Sequence, residues 1–316
     1  MTSSPFALAL LALVGFEAAP AVAGAPTLPP GAERAAASID RQTLEPAIRF
    51  LSDDLLEGRG PATRGDQLTQ LYIATTLAGY GLEPAAADGS WTQEVPVVSV
   101  TAQAPASWRF AAGGEAVDLA WSTDYIAASG LQAPAAGFSD AEVVFVGYGI
   151  EAPEYGWDDF KGVDLAGKVL LMLNNDPDWD PALFEGVRRL YYGRWTYKYE
   201  SAARQGAAGA IIVHTTPSAG YPWQVVQSSW SGEQFELPDA GEARLQVKAW
   251  TSEEATRRLL KAAGHDFDAL SEKARSRDFR PVPLGLRTSL AIDSRIRSVE
   301  TANVLGLLRG RDAELA

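Results

Sequence analysis

ESAARQGAAGAIIVH, residues 200–214, contains a complete change of backbone period. Glu200 to Gln205 is made of helix formers. Gly206 to Gly209 is a glycine-bounded turn, and Ala210 to His214 is an unbroken aliphatic run of the kind found in buried strands. A helix delivered through a short turn into such a strand predicts a mixed α/β unit. Two further runs, AEVVFVGYGI (141–150) and GKVLLMLNN (167–175), read as strands of the same unit.

Outward from this centre the pattern continues. TSEEATRRLLKAAG (251–264) predicts a helix with Thr251 and Glu254 as a capping box. Its inner face would be Ala255, Leu259, Leu260 and Ala263, with Gly264 closing it. Towards the N-terminus, Leu44, Ile48, Leu51 and Leu55 form a one-sided apolar stripe that predicts a helix. A second helix is expected from about Asp66 to Gly79 or Gly81, with Leu68, Leu71, Tyr72 and Thr75 on one face. Trp91 to Thr101 reads as extended, and Thr301 to Leu308 as a buried strand. The fold class is therefore α/β (α+β), a helical lead-in followed by a strand-rich middle and a return strand.

Composition limits the function. A chain of 316 residues exceeds the usual size of one core, which predicts two domains. Hydrophobic residues make up 47% and aromatics 9%, with nine Trp, enough for packed cores. Lys and Arg total 27 against 40 Asp and Glu, a net charge of −13. Such a surface repels phosphate backbones and anionic lipid. No cysteine is present, so disulfides, thiolate nucleophiles and Cys-bound zinc are excluded. Near the N-terminus, Phe6 to Phe16 is an apolar run, and Ala21-Val22-Ala23 has the small-x-small pattern of a cleaved export signal. The run is too short to span a bilayer. A secreted or periplasmic protein is expected.

Each chemical motif has a plainer reading. GRGPATRG (58–65) lacks the preceding strand and the Gly-Lys-Ser/Thr of a phosphate loop, and reads as a turn between helices. Asp176, Asp178 and Asp180 alternate as in a calcium loop, but Pro181 and Val187 stand where an EF-hand needs Gly and Glu. A solvated acidic loop is expected there. VRRLYYGRWTYKYE (187–200) mixes basic and aromatic side chains, and in an acidic chain it reads as structural rather than as a nucleic-acid surface. His214 and His265 are the only histidines, lie on different predicted elements, and have no zinc-ligand spacing. No Gly-x-Ser-x-Gly elbow occurs. From the residues alone, no catalytic, cofactor-binding or metal-binding residue is assigned.

YYGRWTYKYESAARQGAAGAIIVHTTPSAGYPWQVVQSSWSG (191–232) resembles the protease-associated (PA) domain of bacterial secreted zinc aminopeptidases of peptidase family twenty-eight. LSDDLLEGRGPATRGDQLTQLYIATTLAGYGLEPA (51–85) is similar to the N-terminal helices of those peptidases. FVGYGIEAPEYGWDDFKGVDLAGKVLLMLNNDP (145–177) is similar to the first half of the inserted domain, and TANVLGLLRG (301–310) to the strand by which the chain re-enters the peptidase domain.

The resemblance implies a division into a signal peptide (1–23), a linker (24–36), helices and a strand of the peptidase lobe (37–104), a protease-associated domain (105–285) and return strands (286–316). It implies hydrolysis of peptides in the full-length protein, with two zincs lowering the pKa of a bound water to about 7. The family's ligands, beginning with a His-x-Asp pair after the return strand, fall beyond residue 316. Residues 1–316 are thus expected to bind no zinc and to be inactive by themselves. The alternative is a protease-associated domain that works alone as a protein-interaction module. Nucleic-acid partners and membrane insertion are not expected.

Overall fold

The computed structural model describes residues 30–312. The predicted export signal, 1–23, lies outside the described residues. The chain divides into two units, Met1–Glu57 and Gly58–Ala316.

In the first unit, α1 (Ala32–Ala37) and α2 (Arg41–Leu51) are followed by a 3-10 turn at Asp54–Leu56. Glu45 pairs with Arg41 at 2.8 Å and with Arg49 at 3.0 Å, one helical turn away on either side. The apolar stripe is shorter than its spacing implied. The helix stops at Leu51, and Leu55 falls in the 3-10 turn, held there by Asp53, whose carboxylate accepts from the Leu55 N–H. Leu44, Ile48 and Leu55 are all exposed.

The second unit opens with α3 (Arg64–Gly79), whose N-cap is Thr63. The Asp66 N–H donates to the Thr63 hydroxyl and its carboxylate accepts from the Ala62 N–H at 2.9 Å, so GRGPATRG is a helix-capping turn. There follow β1 (Glu83–Pro84), β2 (Thr92–Gln103), β3 (Ser107–Ala112), β4 (Glu115–Ala120), β5 (Tyr125–Ser129) and β6 (Ala135–Phe145). The short β7 (Glu151–Ala152) and β8 (Trp157–Asp158) precede β9 (Val169–Leu173), α4 (Trp195–Arg204) and β10 (Gly209–His214). Next come α5 (Thr216–Ala219), α6 (Trp223–Ser229), β11 (Glu233–Glu236) and β12 (Val247–Ser252). The unit ends with α7 (Glu253–Ala262), α8 (Phe267–Lys273), β13 (Val282–Val304) and β14 (Gly306–Leu307).

The main sheet runs β11-β2-β13-β6-β9-β10-β12-β5, with the β3-β4 hairpin also paired to β13. Its centre, β6-β9-β10-β12, is parallel, and the remaining pairings are antiparallel. Every residue of β9 and β10 is buried, as parallel strands covered on both faces require. The strand period sorts the side chains. Ile211 and Val213 enter one core with Trp108, Phe110, Leu259 and Leu260, beneath α7 and the β3-β4 hairpin. Ala210 and Ile212 enter the other with Met172, Ala202 and Trp250, beneath α4. Each Ile, Val, Leu or Met side chain among them contributes about 1.5–3 kcal/mol by leaving water. The fold is mixed α/β, with the sheet between these two cores.

The link from α4 to β10 follows from sequence. Gly206 takes φ +71, the Ala207 N–H bonds the Ala202 carbonyl at 3.2 Å, and the Gly206 N–H bonds that of Ala203 at 2.9 Å. This double closure turns the chain straight into the strand. Gly264 does the same after α7, with the His265 N–H on the Leu260 carbonyl. The start of α7 differs by one residue from the sequence reading. Ser252, the last residue of β12, is the cap, accepting from the Ala255 N–H, because Thr251 faces inward onto Thr256.

β13 is the longest element. Leu284, Leu286, Leu290 and Ile292 point into the core, and beyond Asp293 its side chains are half-buried or exposed. That outer part pairs with β2 over twelve residues, from Asp293 opposite Gln103 to Val304 opposite Thr92. α3 lies against it, with the Thr301 hydroxyl donating to Asp66 at 2.7 Å. Thr301 to Leu308 is therefore not a buried strand. It is the outer end of β13 followed by β14 paired to β1, and Leu307 and Leu308 are exposed. An apolar run alone does not reveal that the covering layers have ended.

Candidate functional site

The second unit contains a cavity of about 520 Å³ behind α4. Trp195 and Tyr199 stand one helical turn apart on α4, and Glu200 follows on the same side. Trp230 closes the C-terminus of α6, Trp250 comes from β12, and β11 adds Gln234 and Phe235. Tyr199 is anchored by its hydroxyl, which donates to the Ala249 carbonyl at 2.9 Å. The rings are steeply inclined to one another. Trp195 and Trp230 have centroids 5.5 Å apart at 73°, Tyr199 and Trp230 5.6 Å at 57°, and Trp230 and Trp250 6.2 Å at 77°. Such contacts add to the area the rings bury and fix their orientation. The Trp250 indole N–H is buried without a hydrogen-bond partner among the described residues.

The cavity's charges fall into two sets. Glu236 binds Lys248 at 2.6 Å and Arg244 at 3.2 Å, and Arg244 also reaches Asp239 at 3.1 Å. Burial works to raise the Glu236 pKa, but Lys248, Gln132 and Arg244 outweigh it and hold the carboxyl below its ordinary value. Both bases are thereby ion-paired, although the Arg244 Nε–H is buried without a hydrogen-bond partner among the described residues. Glu200 and Glu242, both exposed, make no ion pair among the described residues; Glu200 accepts only from the Tyr191 hydroxyl, at 2.7 Å.

A second polar cluster lies on the opposite side of α4. Lys198 is fully buried, with its ammonium donating to the Tyr148 carbonyl at 2.5 Å and lying 5.7 Å from that ring's centroid. Two buried carboxylates act on it through space. Asp159 accepts from the Ile150 N–H at 3.0 Å, and Asp176 from the Leu190 N–H at 2.9 Å. Burial pushes the Lys198 pKa down and the Asp159 pKa up, and the attraction between them opposes both shifts. Asp176 corrects the expectation of a solvated acidic loop. Asp178 and Asp180 are exposed, but Asp176 is buried and ties that loop to the segment entering α4.

This cluster predicts a pH profile. Between the lowered folded-state pKa of Lys198 and its ordinary 10.5, the unfolded chain holds a proton that the folded chain lacks, so stability rises with pH. Between the ordinary 3.8 of Asp159 and its raised folded value, the folded chain holds the extra proton, so stability falls as pH rises. The cluster's contribution is thus least favourable near neutrality. Urea unfolding at pH 5, 7 and 9 is expected to show that dip, and the Asp159→Asn, Lys198→Met double variant to flatten it. An unchanged profile in the double variant would assign the dip to other groups.

The two histidines occupy separate places. His214 ends β10, buried, with its Nε2–H donating to the Tyr221 carbonyl at 3.0 Å and its ring 5.5 Å from that of Trp223. Burial lowers its pKa, more than the Tyr221 carbonyl raises it. His265 follows α7, half-buried. Among the described residues, no three His, Asp or Glu side chains are grouped so as to hold a metal ion. Sequence reasoning assigned no site residue and took residues 187–200 as structural. The signal it passed over was the spacing of Trp195 and Tyr199 beside Glu200, while Trp230 and Trp250 reach the cavity only through the fold.

No helix among the described residues is long and apolar enough to cross a membrane. No protein-family model matches the chain, and no curated protein does. Among solved structures, an aminopeptidase from Aneurinibacillus sp. strain AM-1 is similar at 18% identity and a TM-score of 0.38. The likeness covers 84% of this chain and 47% of that one, so the chain spans about half the length of the solved enzyme.

Proposed function

We propose that the chain is the N-terminal portion of an exported zinc-dependent aminopeptidase, in which the unit built on the main sheet is the inserted protease-associated part. The sequence resemblance motivates this reading, and one observation carries it. β2 and β13 lie side by side and antiparallel over twelve residue pairs, so the chain leaves for the strand-rich unit and returns from it at one point. An insertion into a host domain needs that geometry, because departure and return must leave the host's ends close together. In this reading α3, β1 and β14 belong to the host lobe. The chain's own residues shape the approach to a site that other residues complete, and none of them is assigned a catalytic step.

The test is to express residues 1–316 and, separately, the reading frame continued past codon 316, and to measure leucyl-anilide hydrolysis with zinc and with chelator. The expected result is chelator-sensitive turnover by the longer product and none by residues 1–316. Turnover by residues 1–316 that His214→Ala abolishes would overturn the assignment. A stop immediately after codon 316 would favour the second reading, a protein-interaction module, for which the aromatic cavity is the supporting observation.

A further inference from the structure

We propose that the cavity behind α4 is a recognition site for an organic cation, an ammonium or guanidinium on an apolar stem. The inference stands apart from the peptidase reading, since it uses only this cavity's own residues.

Three features point to that chemistry. Trp195, Tyr199 and Trp230 line the cavity with rings inclined to one another by 57° to 73°. Aromatic faces carry negative π density, and a cation seated on them is held more strongly as water is excluded. The charges select the sign of the ligand. Arg244 and Lys248 are already ion-paired with Glu236 and Asp239, so they offer no unmatched charge to draw in an anion. Glu200 and Glu242 have no cationic partner among the described residues, so a cation entering here meets two carboxylates without having to displace another cation. Size supplies the third constraint. About 520 Å³ lies within the range of small-molecule sites and accepts a guanidinium with its alkyl stem. The chain's net charge of −13 attracts cations to its surface generally.

The same chemistry has two sources, a free small amine and the side chain of a polypeptide, and the test separates them. Titration calorimetry of residues 1–316 is to be run with agmatine, with N-acetyl-arginine amide, and with N-acetyl-citrulline amide, which keeps the shape without the charge. Saturable binding of the arginine amide is expected, with the citrulline amide about tenfold weaker or worse. An arginine amide that binds more tightly than agmatine marks a polypeptide source, and the reverse order marks a free amine. Trp230→Ala is expected to weaken the arginine amide about tenfold. Glu200→Gln and Glu242→Gln, at exposed positions that do not threaten folding, are expected to weaken it about threefold each. Equal binding of the citrulline and arginine amides overturns the proposal, as does the absence of saturable binding. Full affinity in both glutamine variants overturns it even if Trp230→Ala fails to fold.

Discussion

Trp108→Ala is expected to lower the unfolding free energy of the second unit by about 3–5 kcal/mol, a large part of a typical domain's stability. Trp108 is 1% exposed at the centre of the core beneath α7. Its ring lies 4.7 Å from that of Phe110 and 5.3 Å from that of Tyr125. Its indole N–H donates to the Thr288 hydroxyl at 2.7 Å, and that hydroxyl donates in turn to the Arg109 carbonyl. Alanine would leave a void between the β3-β4 hairpin and the sheet, where β13 and α7 are fixed by other contacts and cannot collapse into it. Trp108→Phe keeps most of the volume and loses the hydrogen bond, so its cost should be smaller, about 1–2 kcal/mol. Denaturant midpoints of the two variants provide the check. Equal costs would place the stabilisation in the hydrogen bond rather than in the volume.

Gly130→Ala should be nearly as damaging, by about 3 kcal/mol, for the opposite reason. A Cβ at Gly130 would stand 2.0 Å from the Leu245 carbonyl oxygen and 2.8 Å from its carbon. Both obstacles are backbone, and the Gly130 N–H already binds the Gln246 carbonyl at 2.9 Å, so neither side can rotate away. The end of β5 would have to part from the segment that enters β12. Gly130 and Leu245 both line the aromatic cavity, so the variant should also lose ligand affinity while the core near Trp108 stays intact. Near-ultraviolet circular dichroism and thermal unfolding test this. A variant with wild-type stability would show that β5 shifts freely at its end.

The centre of this fold was legible because it is local. AIIVH became β10 and the glycine at 206 became the helix terminator, since burial on both faces and a left-handed turn each leave a mark within a few residues. Errors arose where a partner lay far along the chain. Asp176 looked solvated because its loop is full of acid and proline, and the amide that holds it belongs to Leu190. The cap falls on Ser252 rather than Thr251 because β12 and α7 abut without a loop, and Thr251 is turned inward onto Thr256. Leu307 and Leu308 read as core because hydrophobicity does not report where a sheet stops being covered. The cavity was the least legible, since its walls come from β2, α4, α6, β11 and β12, and only the sheet order brings these together.

The twelve-pair ladder between β2 and β13 also fixes how tension would pass through the chain. Thr92 and Val304, where the chain enters and leaves, sit opposite each other at the same end of the ladder. Pulling on the flanking segments therefore loads its hydrogen bonds one after another, as a zipper is opened, because antiparallel bonds lie across the strands rather than along them. The ladder would part from its outer end at low force, and each broken pair would lengthen the tether while Leu290 and Ile292 remain seated in the core. The junction would yield like an extensible hinge, and the sheet beyond it would carry no load until the ladder had opened as far as Val98, where β2 is also paired to β11.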